Sequence, residues 1–430
     1  MDTAQQENTN TSILPMTIIG LLFFIFGFVT WLNGSLMPFL KIICGLNDFQ
    51  TFFVTFAFYI AYFVMAFPMA LVLKKTGYRN GMALGLAIMA VGSLLFIPAA
   101  FSAEYWVFLI ALFVLATGLT ILQTASNPYV VFVGPKESAA MRISIMGIIN
   151  KAAGVVVPIV FAAIILSGLD SSPEALAKLT EAEIQELSER LVMPYIYMAV
   201  ALFFLIGLVK FTNLPEIQTE EDEGGEEKGN ILQFPQVILG TVALFCYVGV
   251  EVIAGDSIGV FGSNLNVPHF ASLTSYTMVF MVLGYILGVV GIPRFFSQTQ
   301  ALVGSGIAGC ACIVGILLSD PTSSGLSEIL FGWTGIATIP NPVLFVALMG
   351  MAHALVWPAV WPLALEGLGK YTAQGSALLI MGIVGGAIVP MAFGSIAEGG
   401  GDMQSAYLLC LPLYLYILYY ALRGHKKRTW

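Results

Sequence analysis

The chain has 430 residues, 58% of them hydrophobic and only 10% charged, with a mean hydropathy of +0.90. Soluble domains carry about 25% charged residues, so the balance excludes a soluble enzyme and describes an all-α polytopic membrane protein. The formal net charge of −8 comes mainly from one acidic stretch between two apolar blocks, and it points to no basic partner and no nucleic acid.

Residues 1–12 are polar and are expected to be disordered. No basic segment precedes the first apolar run, as a cleavable signal peptide would require. Twelve apolar runs follow, each long enough for a bilayer that needs about 20 residues. They fall near 14–40, 50–73, 80–101, 105–133, 140–168, 191–212, 233–263, 270–292, 299–318, 340–366, 371–396 and 403–423. Between the fifth and sixth, Ser171 to Arg190 is polar and helix-prone, and is expected to form an amphipathic cap. Between the sixth and seventh, the acidic stretch around Glu216 to Asn230 has no hydrophobic period and reads as a flexible linker. The expected organisation is therefore a six-helix bundle over 13–212, a linker over 213–232, a second six-helix bundle over 233–424 and a basic tail over 425–430.

Lysine and arginine set the orientation. With the N-terminus inside, the inner segments hold Lys74, Lys75, Arg79, Lys136, Arg142, Lys210, Arg294, Lys370 and the tail Lys426-Lys427-Arg428, whereas the outer loops hold only Lys41, Lys178 and Arg190. The bias places both termini in the cytoplasm. The five cysteines, Cys44, Cys246, Cys310, Cys312 and Cys410, lie mostly in apolar runs without metal spacing and read as small hydrophobic filler.

The halves repeat weakly. Ile145-Met-Gly-Ile148 in the fifth span matches Ile380-Met-Gly-Ile383 in the eleventh, with Pro158 and Pro390 following. Gly27 and Asn33-Gly-Ser-Leu36 in the first span lie over Gly249 and Gly255-Asp-Ser-Ile258 in the seventh.

Polar residues inside these runs need a reason, because a charge at the bilayer centre costs about 2.5–3.5 kcal/mol on insertion scales. Leu122-Gln-Thr-Ala-Ser-Asn-Pro-Tyr-Val-Val131 carries Gln123 and Asn127 four residues apart, on one helix face, followed by Pro128. That face is expected to wall a polar cavity. Asn33 and Asn150 add amides from the N-terminal half; Glu251, His353, Trp357 and Trp361 add polar and aromatic groups from the C-terminal half. Amides both donate and accept, and an aromatic plate suits an apolar face of a polyhydroxylated solute. Helix–helix hydrogen bonding is the plainer alternative for each amide; for His353 it is the preferred one, and interfacial anchoring is the plainer account of the tryptophans. Lys151 must pair with something, and an acid from the C-terminal half is one candidate. Asp256 occupies in the seventh span the repeat position held by Gly34 in the first. A helix broken near Gly249, Gly255 and Gly259 would gather Asp256, Glu251 and freed carbonyls around one cation, Na⁺ being favoured slightly over H⁺.

The stretches Gly27-Phe-Val-Thr-Trp-Leu-Asn-Gly-Ser-Leu-Met-Pro-Phe-Leu-Lys41, Leu122-Gln-Thr-Ala-Ser-Asn-Pro-Tyr129, Trp361-Pro-Leu-Ala-Leu-Glu-Gly-Leu-Gly369 and Gly375-Ser-Ala-Leu-Leu-Ile-Met-Gly-Ile-Val-Gly-Gly386 resemble the fucose and glucose/galactose cation symporters of the major facilitator superfamily. The resemblance covers nearly the whole membrane domain and is closer to the glucose/galactose branch, which shares Gln123 where the fucose branch has an acid. It implies two six-helix bundles rocking about a central site. The family commonly has Asp after the first-span Asn, where this chain has Gly34, so the coupling carboxylate is expected to have moved to Asp256.

The expectation is thus a secondary active transporter in a bacterial inner membrane. It carries a hexose (glucose, galactose, mannose or a relative) with a cation, works as a monomer, and needs no cofactor beyond the coupling ion. The substrate-binding residues would be Asn33, Gln123, Asn127, Asn150, Lys151, Glu251, His353 and Trp357, with Asp256 and Glu251 coupling the cation and Asp256 as the tentative Na⁺ ligand. An uncoupled sugar facilitator is the first alternative, and a membrane-embedded receptor or enzyme the second. No H-E-x-x-H motif or phosphate loop supports an enzyme.

Overall fold

The computed structural model describes residues 2–132, 139–169, 172–176, 178–212, 231–292, 294–368, 371–400 and 402–430. Among them the structure is helical, without strands. Twelve helices are long and apolar enough to span a membrane. In order, spans one to six are Leu14–Ile43, Asp48–Met65, Lys75–Ser102, Tyr105–Ser126, Arg142–Ile165 and Glu181–Phe211; spans seven to twelve are Pro235–Asn264, Phe270–Gly291, Gln298–Leu318, Asn341–Leu365, Leu378–Gly399 and Met403–Lys426. An even number of spans puts both chain ends on one face of the bundle, called here the terminal face.

One end differs from expectation. The first helix runs Asp2–Ile43, so its backbone continues through residues expected to be disordered; no glycine or proline interrupts 2–14. Residues 181–189 form the expected polar helix, started by Thr180, whose side chain accepts from Glu183 N–H while Glu183 reaches back to the Thr180 N–H. That helix runs almost directly into Val192–Phe211 and lies over the end of span three, where Ser188 Oγ donates to the Ala100 carbonyl at 2.7 Å. The acidic linker at 213–230 lies outside the described residues.

Between spans two and three the chain reverses at Gly77, whose φ of 75° is open to glycine. The adjoining Arg79 donates Nε to the Val209 carbonyl at 3.1 Å and Nη2 to the Lys210 carbonyl. The basic loop therefore caps the C-terminal end of span six.

Packing is closest where glycines let backbones touch. A Cβ on Gly27 would lie 1.9 Å from the Asn150 carbonyl, so spans one and five cross there. Beside the crossing, Asn150 Nδ2 donates to the Phe23 carbonyl at 3.3 Å. In the other half a Cβ on Gly385 would lie 2.0 Å from the Phe245 carbonyl, where spans eleven and seven cross. In the register of the internal repeat, Phe23 corresponds to Phe245 and Asn150 to Gly385. The repeat is thus a repeat of helix crossings as well as of letters. Large apolar side chains such as Phe204, Phe211, Leu283 and Leu287 point outward and are exposed, as a lipid-facing surface requires.

The two halves meet at mid-depth and towards the face opposite the termini. There Ser35 Oγ donates to the Ala271 carbonyl at 3.0 Å, Lys41 Nζ to Asn264 Oδ1 at 3.4 Å, and the Asp48 N–H to Glu398 Oε2 at 3.0 Å. Phe52 packs edge-on against Phe393, and Gly394 leaves room for the Phe52 ring. These contacts seal that face, leaving two shallow hollows of about 370 and 320 Å³ around Asn264.

Candidate functional site between the bundles

At mid-depth Lys151 of span five meets Glu251 of span seven, Nζ to Oε1 at 2.9 Å, with each side chain 9% exposed. The ammonium also stands 4.3 Å from the centroid of the Trp31 ring, in span one. Two partners thus offset the desolvation of Lys151: an acid from the opposite bundle and an aromatic face from its own. Tyr247 lies one helical turn before Glu251, on the same face of span seven. Tyr247 in turn packs against Trp357, ring centroids 6.2 Å apart, and Trp357 against Trp361 at 5.5 Å. A row of aromatic rings therefore leads from the ion pair towards the terminal face.

On the N-terminal side Gln123 Nε2 donates to the Tyr62 hydroxyl at 3.1 Å, and Tyr62 stacks on Tyr59 with centroids 6.0 Å apart. A Cβ on Gly386 of span eleven would sit 2.9 Å from the Tyr59 ring. Gln123, Tyr62 and Tyr59 thus run from the N-terminal bundle to the interface. Gln123 and Trp357 remain half-buried, so polar and aromatic groups reach open space at this depth.

Span seven departs from the α-helix at Ile253–Ser257, a turn of π-helix containing Asp256. Such a bulge frees backbone carbonyls, which in a bilayer must find other donors. Span eight supplies them: Thr274 Oγ1 donates to the Gly255 carbonyl at 2.8 Å and Thr277 Oγ1 to the Ala254 carbonyl at 3.2 Å. Asp256 is fully buried. Its Oδ2 accepts from Thr55 Oγ1 of span two at 3.0 Å, while Oδ1 has no partner among the described residues. Gly34 of span one is its neighbour across the interface: a Cβ there would lie 2.6 Å from the Gly255 carbonyl and 3.3 Å from Asp256 Cα. The two repeat-related positions face each other, one stripped of its side chain and the other carrying a carboxyl.

Several expectations are corrected. Glu251 and Asp256 do not converge on one cation: Glu251 is held by Lys151, Asp256 by Thr55, and the nearby freed carbonyls by threonine hydroxyls. The helix bulges rather than breaks, and among the described residues the Gly255 and Ala254 carbonyls are taken by threonine hydroxyls. Among the described residues no group of three or more His, Cys, Asp or Glu could hold a metal. Asn150 is half-buried, and its amide bonds across to span one. Its Oδ1 accepts from Trp31 Nε1 at 3.4 Å and its Nδ2 serves Phe23, both in span one. His353 is fully buried inside the C-terminal bundle, Nε2 against the Tyr414 hydroxyl at 2.5 Å. Asn33 is buried with Nδ2 unpartnered among the described residues. The Asn127 side chain lies outside the described residues.

Trp31, Tyr62, Tyr247 and Thr55 complete the cluster and were not singled out from sequence. Aromatic and threonine residues are ordinary in spans, and only their register one turn from a charged residue, as with Tyr247 and Glu251, gave any signal.

Twelve spans in two repeat-related six-helix halves, joined at mid-depth by a buried ion pair and a lone carboxyl, define a membrane transporter and not an enzyme. The chain belongs to the Major Facilitator Superfamily, whose family model matches residues 19–390. It is 34% identical over 429 residues to a protein named glucose/galactose transporter from Brucella abortus, covering 99% of this chain and 97% of that one. It is 30% identical over 435 residues to one named putative glucose/galactose transporter from Helicobacter pylori, covering 98% and 99%. With the L-fucose-proton symporter of Escherichia coli it shares 25% identity over 412 residues, 92% of this chain and 90% of the other. Among solved structures, the fucose transporter FucP in its outward conformation superposes with a TM-score of 0.72 at 24% identity, over 97% of this chain and 100% of that one. The partially occluded inward-open E. coli xylose transporter XylE gives 0.69 at 11%, over 95% and 98%. These two likenesses describe the fold.

Proposed function

We propose that the chain is a hexose symporter, moving a sugar of the glucose, galactose or mannose type with one cation by rocking of its two bundles. The names of the Brucella and Helicobacter relatives support the sugar class. Gln123, Tyr62, Glu251 and Trp357 are the groups at mid-depth that suit it: donors and acceptors for hydroxyls and a ring for the C–H face. Lysine and arginine bias puts the terminal face in the cytoplasm of a bacterial inner membrane, which makes the sealed face the outer one.

The observation that carries coupling is a charge count. Lys151 and Glu251 cancel each other, whereas Asp256 is buried with a hydroxyl partner and, among the described residues, no cation beside it. An unpaired buried carboxylate is costly, so its charge must be matched during the cycle. With the surrounding carbonyls taken, a proton fits this site better than Na⁺, which needs several oxygens at once. Purified protein in liposomes tests the proposal: hexose should accumulate against its gradient when an inward proton gradient is imposed, and Na⁺ should add nothing. Accumulation driven by Na⁺ alone would restore the sodium reading, and equilibration indifferent to both gradients would leave an uncoupled facilitator. Asp256→Asn should abolish uphill uptake and keep sugar exchange.

A further inference from the structure

The partner that faces Asp256 across the interface is uncharged. Thr55 belongs to span two and to the other bundle; its Oγ1 lies 3.0 Å from Asp256 Oδ2 and 3.1 Å from Met37 Sδ of span one. A threonine hydroxyl has one proton and two lone pairs. It can donate to only one of these acceptors at a time, and it can accept from the other side while it does so. The titratable groups around Asp256 are Tyr59, one turn along span two, and Glu251 on its own helix, itself held by Lys151. Span one presents Gly34 with no side chain, and span eight presents Thr274 with its hydroxyl spent on the Gly255 carbonyl.

We infer that Thr55 is a positioning residue that ties the loading of Asp256 to closure of the face opposite the termini. While Asp256 is ionised, the Thr55 hydroxyl donates to it. When a proton from solution adds to Oδ2, the acid becomes the donor to Thr55 Oγ1, and the hydroxyl hydrogen turns to Met37 Sδ. No other bond is made or broken. The bundles remain bonded in both states, but only the loaded one leaves no unpaired charge inside the sealed interface. The face therefore closes on a loaded carrier and resists closing on an empty one. This inference rests on the coupling reading above and adds the residue that transmits it.

The test uses full-length protein in liposomes with Cys44→Ser and a reporter, Ala271→Cys, a small buried site whose backbone meets Ser35 across the interface. Labelling by a membrane-impermeant maleimide, divided at each pH by the rate for the same protein unfolded in detergent to remove the effect of thiolate formation, should quicken as pH rises. Thr55→Val should flatten that pH profile and lower proton-driven accumulation about tenfold, the scale of one hydrogen bond to an ionised group, while sugar counterflow persists. Thr55→Ser should restore both. Met37→Leu should keep transport and shift the midpoint of the labelling profile. A Thr55→Val protein with the parent's profile and accumulation overturns the inference. Should Thr55→Val lose counterflow, and so not fold, an unshifted Met37→Leu profile overturns it instead. If Asp256→Asn still accumulates sugar, the coupling reading falls and takes this inference with it; if only the Thr55 and Met37 variants behave as the parent, the coupling reading stands alone.

Discussion

A buried ion pair is weak evidence of stability but strong evidence of mutual dependence. Lys151 and Glu251, each 9% exposed, are tolerable in the interface only together. Glu251→Gln strands the ammonium and is expected to cost about 3–5 kcal/mol, whereas Lys151→Met with Glu251→Gln should recover most of that loss. Thermal unfolding of the purified variants checks both values, and equal destabilisation of the single and double variants would mean the pair is not coupled. The sequence made Lys151 legible, because a lysine at mid-span demands a partner. It did not make Trp31 legible, because an indole in an apolar helix needs no explanation until a cation is found above it. Asn150 was ambiguous for a related reason: an amide that bonds a neighbouring helix and one that bonds a ligand look alike in a sequence. Asp320, in the loop after span nine, accepts from the Thr322 N–H and hydroxyl. Those bonds lower its pKa, and the exposed carboxylate stabilises a turn.

At the scale of the helix, the seventh span holds the chemistry because it is irregular. The bulge at Ile253–Ser257 was foreshadowed by Gly249, Gly255 and Gly259, but the glycines did not reveal whether the helix would break or merely widen. The deciding residues are Thr274 and Thr277, distant in sequence, which satisfy the freed carbonyls and so keep the helix continuous. Span one contributes by subtraction. Gly34→Ala would set a methyl group 2.6 Å from both the Gly255 carbonyl and Thr274 Oγ1, and backbone at that distance cannot yield without the helices parting. The variant should retain its fold within each bundle and lose more than about tenfold in uptake, since it disfavours the sealed arrangement by an overpacking cost of about 1–3 kcal/mol. Radiolabelled sugar uptake measures it, and near-parental uptake would mean that this crossing loosens freely. The matched crossings at Phe23–Asn150 and Phe245–Gly385 were recoverable from the repeat, since both registers were readable before any coordinates.

Over the whole molecule, the inter-bundle contacts named above form a graded closure: ion pair at mid-depth, Asp256 and Thr55 above it, then Ser35, Phe52 and finally Asp48 with Glu398 at the rim. The rim contacts Lys41–Asn264 and Asp48–Glu398 are exposed and screened, and the Lys41–Asp48 salt bridge joins two spans of one bundle, so it seals nothing between the halves. The apolar layer beneath is the stronger barrier. A Cβ on Gly394 would already meet the Phe52 ring at 2.7 Å, so Gly394→Leu is expected to prop this face apart. Sugar should still stabilise the protein in a thermal-shift assay, as any ligand of the folded state does, while counterflow should fall by about tenfold or more. Counterflow at the parental rate would show that the bundles close without this contact. Twelve spans, the halves and the terminal face followed from hydropathy and charge. The state of closure did not, because a carrier's sequence must be compatible with every conformation it visits.

The indole of Trp31 sits beneath the ammonium of Lys151, whose other side is held by an acid on the moving half. Whenever the halves separate at that point, the electric field across the ring changes without the ring itself leaving its bundle. With the other five tryptophans replaced by phenylalanine, its emission colour should therefore follow the cycle without any attached dye.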